Sequence, residues 1–382
     1  MQKIERKLEN INFSNRTGIR NKDSILLNGR SLVNFSSNDY LGLSKNKKLI
    51  SSSLKWTKLY GTSFSSSRLV SGNFDKINYV EDSISKNVNC EKTLILGSGF
   101  LLNSTLIPAL TDNNVGQRNE ILIFSDKYNH SSINFGSFLT KQKIIRYKHL
   151  DLNHLEFLLK KSNNKIPKII ITETLFSMDG DIVDIEGVRF LAKKFNSFLY
   201  IDEAHSMGVL GKNGFGIASN LYNEKEVIIG TFGKSFGSYG GFVSSSKKIY
   251  DKIISTCSGL IYSSALPPGN YAAISEAIKI IPTLKSSRKK LLENSRFLIK
   301  ELNKININTG SSNSQIIPII LGDETKCFEL QSFLRKNGFF VKVIRSPTVP
   351  KGSERIRISL TATMSKKIIN NFLNLIKKFQ EI

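Results

Sequence analysis

Lys234, Asp202, His130 and His205 are the residues through which this sequence can do chemistry, because each stands just beyond an apolar run that reads as a buried strand. Asp202 follows FLYI, and a carboxylate in that position must be solvated, paired with a cation or coordinated to metal. Helix capping is the plain alternative. His205 comes three residues later, too small a ligand set for a metal by itself, although Glu203 keeps a carboxylate-rich site open. Lys234 lies in GTFGKSFGSYGG, where the crowd of glycines lets the backbone approach a ligand closely. A phosphate-binding P-loop would need glycine at position 228, and Ile228 stands there.

A lysine desolvated in such a loop can carry a depressed amine pKa and form a Schiff base with a carbonyl. A surface lysine in a flexible loop is the alternative, but it leaves Asp202 and His205 at another strand end unexplained. One ligand accounts for all three residues: an aromatic aldehyde with a cationic ring nitrogen and a phosphate, which is pyridoxal phosphate. The remaining histidines, His149 and His154 in KHLDLNHLE, lack the HExxH spacing and are expected at the surface.

The elements that must position these residues are legible as a rhythm. Between residues 45 and 285 the short apolar runs KTLILGSG, EILIFSD, IIRY, PKIIITET, SFLYIDEA, EVIIGTF and GGFVS alternate with longer mixed segments. That is the pattern of an α/β domain with a mostly parallel sheet, whose ligands bind beyond the carboxyl ends of the strands. Four polar clusters fall at such ends: Gly97–Phe100, Asp126–His130, Asp202–His205 and Thr231–Ser235. Residues 1–44 read as a short helix, to about residue 20, and a hairpin turning at Asn28-Gly29. Residues 286–382 read as a smaller α+β domain, preceded by a long helical stretch broken at Pro282.

Composition bounds the partners. The chain has 382 residues and a net charge of +24, spread along its length. No zinc finger, basic arm or RNP-like strand accompanies that charge, so nucleic-acid binding is not the expected function. Three cysteines at no redox or metal spacing argue against a disulfide framework. No apolar run approaches the roughly 18 residues needed to span a bilayer, and a cytoplasmic location without membrane insertion is expected.

Six ordered stretches carry a resemblance that covers nearly the whole chain: FSSNDYLGLS (35–44), SRLVSGN (67–73), FSMDGD (176–181), IDEAHSMGVLG (201–211), GTFGKSFGSYGG (230–241) and SPTVPKGSERIRISLTA (346–362). With them the sequence resembles the α-oxoamine synthases, pyridoxal-phosphate enzymes that join an amino acid to an acyl thioester with loss of carbon dioxide. The resemblance implies an aspartate-aminotransferase-like fold (fold type I) and a homodimer with composite active sites. SRLVSGN and PTVPKGSERIRISLTA favour the branch that condenses L-alanine with a pimeloyl thioester, on coenzyme A or an acyl carrier protein, in biotin synthesis. Branches using glycine or serine share the same apparatus, and a noncatalytic dimeric scaffold is the remote alternative.

By this resemblance Lys234 holds the cofactor covalently and handles the α-proton, with His205 as a second proton handler. Asp202 pairs with the pyridine nitrogen, His130 stacks on the ring, and Ser177 and His205 hydrogen-bond its phenolic oxygen. The phosphate would rest on the amides of Gly99 and Phe100 beside the Thr231 hydroxyl, with Ser264 (Ser263 next to it) reaching in from the neighbouring subunit. Arg357, with Asn38, would take the amino-acid carboxylate, and Arg16 or Arg20 the far carboxylate of the acyl chain. Arg355 alternates onto the same strand face as Arg357, so periodicity does not separate them.

The sequence departs from the family pattern at Ser63-Phe64-Ser65-Ser66, where the pattern has glycines, and at Ile77 and Met364, where it has histidines. Gly97 stands where a serine is common. These changes are expected to bear on the acyl pocket or loop geometry more than on Lys234 and Asp202.

Overall fold

Alternation of short apolar runs with turn residues becomes fourteen strands in a computed structural model that describes residues 8–12, 23–112, 120–219 and 223–381. The chain opens with β1 (Ile11–Asn12), β2 (Ser24–Leu27) and β3 (Arg30–Asn34). Asn28 and Gly29 join β2 to β3 with φ of 48° and 76°, the positive pair that a two-residue hairpin turn requires. Ile11–Asn12 pair with Leu26–Leu27 instead of continuing the expected opening helix. The rest of that expected helix lies outside the described residues.

The seven apolar runs become β4 (Lys92–Leu96), β5 (Leu122–Asp126), β6 (Lys143–Tyr147), β7 (Lys168–Glu173), β8 (Phe198–Asp202), β9 (Glu226–Thr231) and β10 (Gly241–Ser245). They form one sheet in the order β4-β10-β9-β8-β7-β5-β6. Only β10 runs antiparallel to its neighbours; the other pairings are parallel. Strands β5, β7, β9 and β10 are buried almost throughout, because helices cover both faces of such a sheet. Ile123, Ile171, Tyr200, Ile229 and Val243 pack with Leu106 and Ile133 from the helices Gly99–Thr111 and Ser131–Leu139 in one apolar core.

Because β10 is reversed, its first residue, Gly241, lies opposite both Leu96 and Thr231, the last residues of β4 and β9. The reversal therefore gathers the carboxyl ends of β4, β9, β8, β7 and β5 along one rim. The loop carrying Lys234 crosses that rim.

After the helices Pro268–Ile280 and Lys285–Lys304, separated by a 3₁₀ turn at Ile281–Leu284 that contains Pro282, come β11 (Ile316–Ile320), β12 (Phe339–Phe340), β13 (Lys342–Ile344) and β14 (Arg355–Ser359). Strands β11, β14 and β13 make a small antiparallel sheet, while β12 joins β3 in parallel. The chain forms two compact units. One contains Met1–Gly42, Met178–Gly180 and Lys289–Ile382, so the opening hairpin and the C-terminal strands share a unit; the other contains Leu43–Ser177 and Asp181–Arg288. No helix among the described residues is long and apolar enough to cross a membrane.

Candidate functional site

Asp202 ends β8 and is only 4% exposed. Its Oδ1 accepts the Ala204 N–H at 2.8 Å and its Oδ2 accepts an Asn103 Nδ2–H at 2.9 Å. Each oxygen thus receives one donor, and a carboxylate oxygen has capacity to accept another. The neighbouring strand places Glu173 directly beside Asp202. Burial first, then the Asp202 charge, pushes the Glu173 carboxyl well above the usual carboxylate range. Glu173 accepts the His130 backbone N–H at 2.6 Å.

His130 caps the helix Ser131–Leu139: its Nδ1 accepts the Ser132 N–H at 3.2 Å and lies 2.7 Å from the Ser132 hydroxyl. The residue as a whole keeps an exposed surface. Partial desolvation and then the charge of Lys234 lower its pKa, against the pull of Asp202. Asp202, Lys234, Glu173 and His130 are thus electrostatic neighbours.

Lys234 is half-buried in the loop between β9 and β10. Phe232 and Phe236 on either side of it are buried, with ring centroids 5.4 Å apart, and anchor the loop. Gly237 N–H returns to the Lys234 carbonyl at 3.0 Å, and Gly237 has φ of 62°. A Cβ there would meet the Ser44 nitrogen at 2.4 Å, so glycine is demanded twice over.

The rim also presents an anion cradle. Gly99 and Phe100 open the helix Gly99–Thr111, and Ser98 caps it by accepting the Leu101 N–H at 3.1 Å. First-turn amides have no acceptor within their own helix and attract anions. Beside them the Thr231 hydroxyl is buried with no hydrogen-bond partner among the described residues. A Cβ on Gly99 would come within 2.6 Å of the Thr231 methyl Cγ2, so glycine lets the start of this helix pack closely against the Thr231 side chain. An unpartnered buried hydroxyl beside free-facing helix amides fits a phosphate, and the charged Asp202 fits a cationic ring nitrogen. The residues present therefore suit pyridoxal phosphate.

The other expected residues fall in several places. His205 and Ser177 are both buried in the same unit as Asp202, His205 in the turn closed by Ser206 N–H on the Glu203 carbonyl. Glu203 is committed elsewhere. Its carboxylate accepts from Ala218 N–H and from the hydroxyls of Thr174 and Ser206, and burial raises its pKa to about 7. Ser264 is exposed, bridged to Ser67. Arg357 and Asn38 belong to the other unit. Arg357 Nη2 donates to Asn38 Oδ1 at 3.1 Å, and its Nη1 donates to Ser359 Oγ at 3.0 Å. Arg355, on the same strand face, instead pairs with Asp179 at 2.6 Å, so partners distinguish the two arginines where periodicity did not. Arg16 and Arg20 lie outside the described residues.

The surface role expected of His149 is overturned. Its Nδ1 lies 2.8 Å from Asp126 Oδ1 and its Nε2 3.0 Å from Asp181 Oδ2. Burial opposes its charge, but these two carboxylates prevail and hold its pKa up at about 10. Sequence reasoning also missed Glu173 and Asn103. Glu173 ends an apolar run, as Asp202 does, and the same rule could have found it; Asn103 lies one helical turn beyond the Gly99 amide.

Three of the departures from the family pattern are taken up by packing, while Ser63 and Ser65 are exposed and Ser65 holds a φ of 52°. The Phe64 ring lies 4.8 Å from that of Phe74, and Ile77 and Met364 are fully buried.

Comparison with known proteins bears on the same features. The sequence matches the family described as aminotransferase class I and II over residues 30–376. It is 38% identical to the 8-amino-7-oxononanoate synthase of Gluconacetobacter diazotrophicus, over 91% of this chain and 87% of that one. The crystal structure of 8-amino-7-oxononanoate synthase from Francisella tularensis superposes with a TM-score of 0.78 at 27% identity, covering 92% of this chain and 99% of that chain. Serine palmitoyltransferase from Sphingomonas wittichii shares the fold, with a TM-score of 0.88 at 24% identity over 95% and 90% of the two chains.

Proposed function

The chain belongs to the class I and II aminotransferase family, in its α-oxoamine synthase branch, a pyridoxal-phosphate-dependent acyltransferase type, and from that premise we propose that it condenses L-alanine with a pimeloyl thioester, releasing carbon dioxide and the thiol carrier and forming 8-amino-7-oxononanoate for biotin synthesis. The observation that carries the reading is the rim on which Asp202, Lys234 and His130 sense one another's charge beside the Gly99–Thr231 cradle. When bound, pyridoxal phosphate supplies a carbonyl for the amino group and a ring that accepts electrons from the α-carbon.

The residues divide the remaining work. Lys234 would hold the cofactor through its carbonyl, and its Nζ would serve as the base for the α-proton. Asp202, oriented by Asn103 and Ala204, would be the carboxylate partner of the ring nitrogen. The His130 ring would stack on the cofactor, and Ser177 and His205 would orient the phenolic oxygen, with His205 a second proton carrier. Gly99, Phe100 and Thr231 bind the phosphate, joined by Ser264 of the partner in a homodimer. Arg357, steadied by Asn38, clamps the amino-acid carboxylate with paired N–H donors. The excess positive charge favours encounter with an anionic thioester carrier. The three free cysteines accord with a reducing, cytoplasmic setting.

A substrate panel tests the proposal. Purified protein reconstituted with pyridoxal phosphate is offered alanine, glycine or serine with pimeloyl and short-chain thioesters, and products are identified by mass. Alanine with the pimeloyl donor is expected to turn over fastest. Preference for another pair moves the protein to a different branch, and no turnover with any pair removes the proposal.

A further inference from the structure

The strand-end site is controlled by an amide that sits behind it. Asn103, 2% exposed on the helix Gly99–Thr111, uses every polar group of its side chain. Its Oδ1 accepts from the Tyr200 hydroxyl at 2.6 Å, and its Nδ2 donates both to Asp202 Oδ2 and to Ser132 Oγ, each at 2.9 Å. The amide cannot be turned over, since its oxygen would then face the Asp202 carboxylate, which only accepts. Burial and the Asp202 charge raise the Tyr200 phenol well above its usual value, so Tyr200 keeps its proton and donates.

Direction propagates from there. Ser132 Oγ already accepts from Asn103, so its own hydrogen is available for His130 Nδ1, 2.7 Å away. The Ser132 backbone N–H, which can only donate, also points at that nitrogen, at 3.2 Å. Two donors on Nδ1 require it to be unprotonated, and a neutral imidazole then carries its hydrogen on Nε2. Resting on the proposed pyridoxal-phosphate chemistry, we infer that Asn103 is a positioning residue: held by Tyr200, it keeps Asp202 oriented for a cationic ring nitrogen and, by donating to Ser132, reinforces the Nε2–H tautomer of His130 that the Ser132 backbone N–H favours. One amide thus sets the polarity of both groups that would touch the cofactor ring.

Nitrogen-15 NMR of the full chain, with and without pyridoxal phosphate, tests this. With only four histidines, His130 is assignable by comparison with His130→Asn. In the unaltered chain His130 is expected to show an unprotonated Nδ1 and a protonated Nε2 in both states. Asn103→Leu is expected to convert this to a tautomer mixture and to weaken cofactor binding by about 10- to 100-fold, the usual cost of a lost hydrogen bond to a charged group. If that variant does not fold, Tyr200→Phe and Ser132→Ala keep the packing; the first is expected to weaken binding by about threefold to tenfold, the second to shift only the tautomer. A proton on Nδ1 in the unaltered chain, or variants that leave both the ring signals and the cofactor affinity unchanged, would overturn the inference. The underlying functional reading fails by a different result: no absorbance band dependent on Lys234 after reconstitution, whatever the histidine signals show.

Discussion

At the end of β5, Asp126 bonds His149 directly; at the end of β8, the hydrogen-bonded path from Asp202 to His130 runs through Asn103 and Ser132. The two pairs occupy equivalent strand ends of one sheet and combine the same residue types, yet they resolve charge in opposite directions. His149 is gripped by two carboxylates and its pKa rises to about 10, so it is an imidazolium at neutral pH. His130 receives hydrogen bonds on Nδ1 from Ser132 and its pKa is lowered. At β5 the aspartate charge is neutralised within the protein and ties the loop after β6 to the segment beginning at Asp181. At β8 the aspartate accepts from the neutral donors Asn103 and Ala204, and Lys234 and His130 are its electrostatic neighbours. The two imidazoles differ in what surrounds them: carboxylate acceptors at His149, the Ser132 donor at His130.

This contrast is sharpest under substitution. Under the proposed function, Asp202→Asn removes the carboxylate charge and is expected to lower turnover by about a hundredfold to a thousandfold, with thermal unfolding little changed; steady-state rates alongside calorimetry check this. His149→Gln removes the imidazolium from the other pair. Solvent reaches part of that ring, so after allowance for screening the expected cost is about 1–2 kcal/mol in urea unfolding, with a smaller effect on turnover. A large rate loss from His149→Gln with unaltered stability would erase the distinction.

The same pair makes a pH claim. The folded pKa of His149 is raised from 6.5 to about 10, so its stabilisation is complete below about pH 6.5 and is lost as pH rises through about 10. The stability difference between the unaltered chain and His149→Gln should therefore shrink steadily from pH 6.5 to 10.5, measured by urea midpoints. A difference that grows over that range contradicts the assignment. Smallest of all, Phe64→Ser removes the ring contacts with Phe74 and Tyr271 and is expected to cost about 1 kcal/mol, leaving the His130 signals unmoved.

Much of the frame was legible in the sequence because it rests on local rules. Asn28-Gly29 encodes its hairpin by conformational preference, and FLYI followed by Asp202 announces a strand end with a charge on it. Arg355 and Arg357 show the limit of periodicity: both alternate inward, and only Asp179, far off in sequence, tells them apart. His149 was unreadable for the same reason, since its partners Asp126 and Asp181 lie 23 and 32 residues away. Asn103 lay hidden in an apolar helix, where an isolated amide gives no periodic signal. Phe64, a departure from the family's glycines, finds its neighbour in Phe74, a contact that spacing alone does not disclose.

The central claim is that Lys234 carries pyridoxal phosphate while Asp202 serves its ring nitrogen. Borohydride reduction of the reconstituted protein, followed by peptide mass analysis, tests it most directly. A phosphopyridoxyl group on Lys234, with labelling diminished in Asp202→Asn, is the expected result; a label on another lysine, or none at all, would contradict the account.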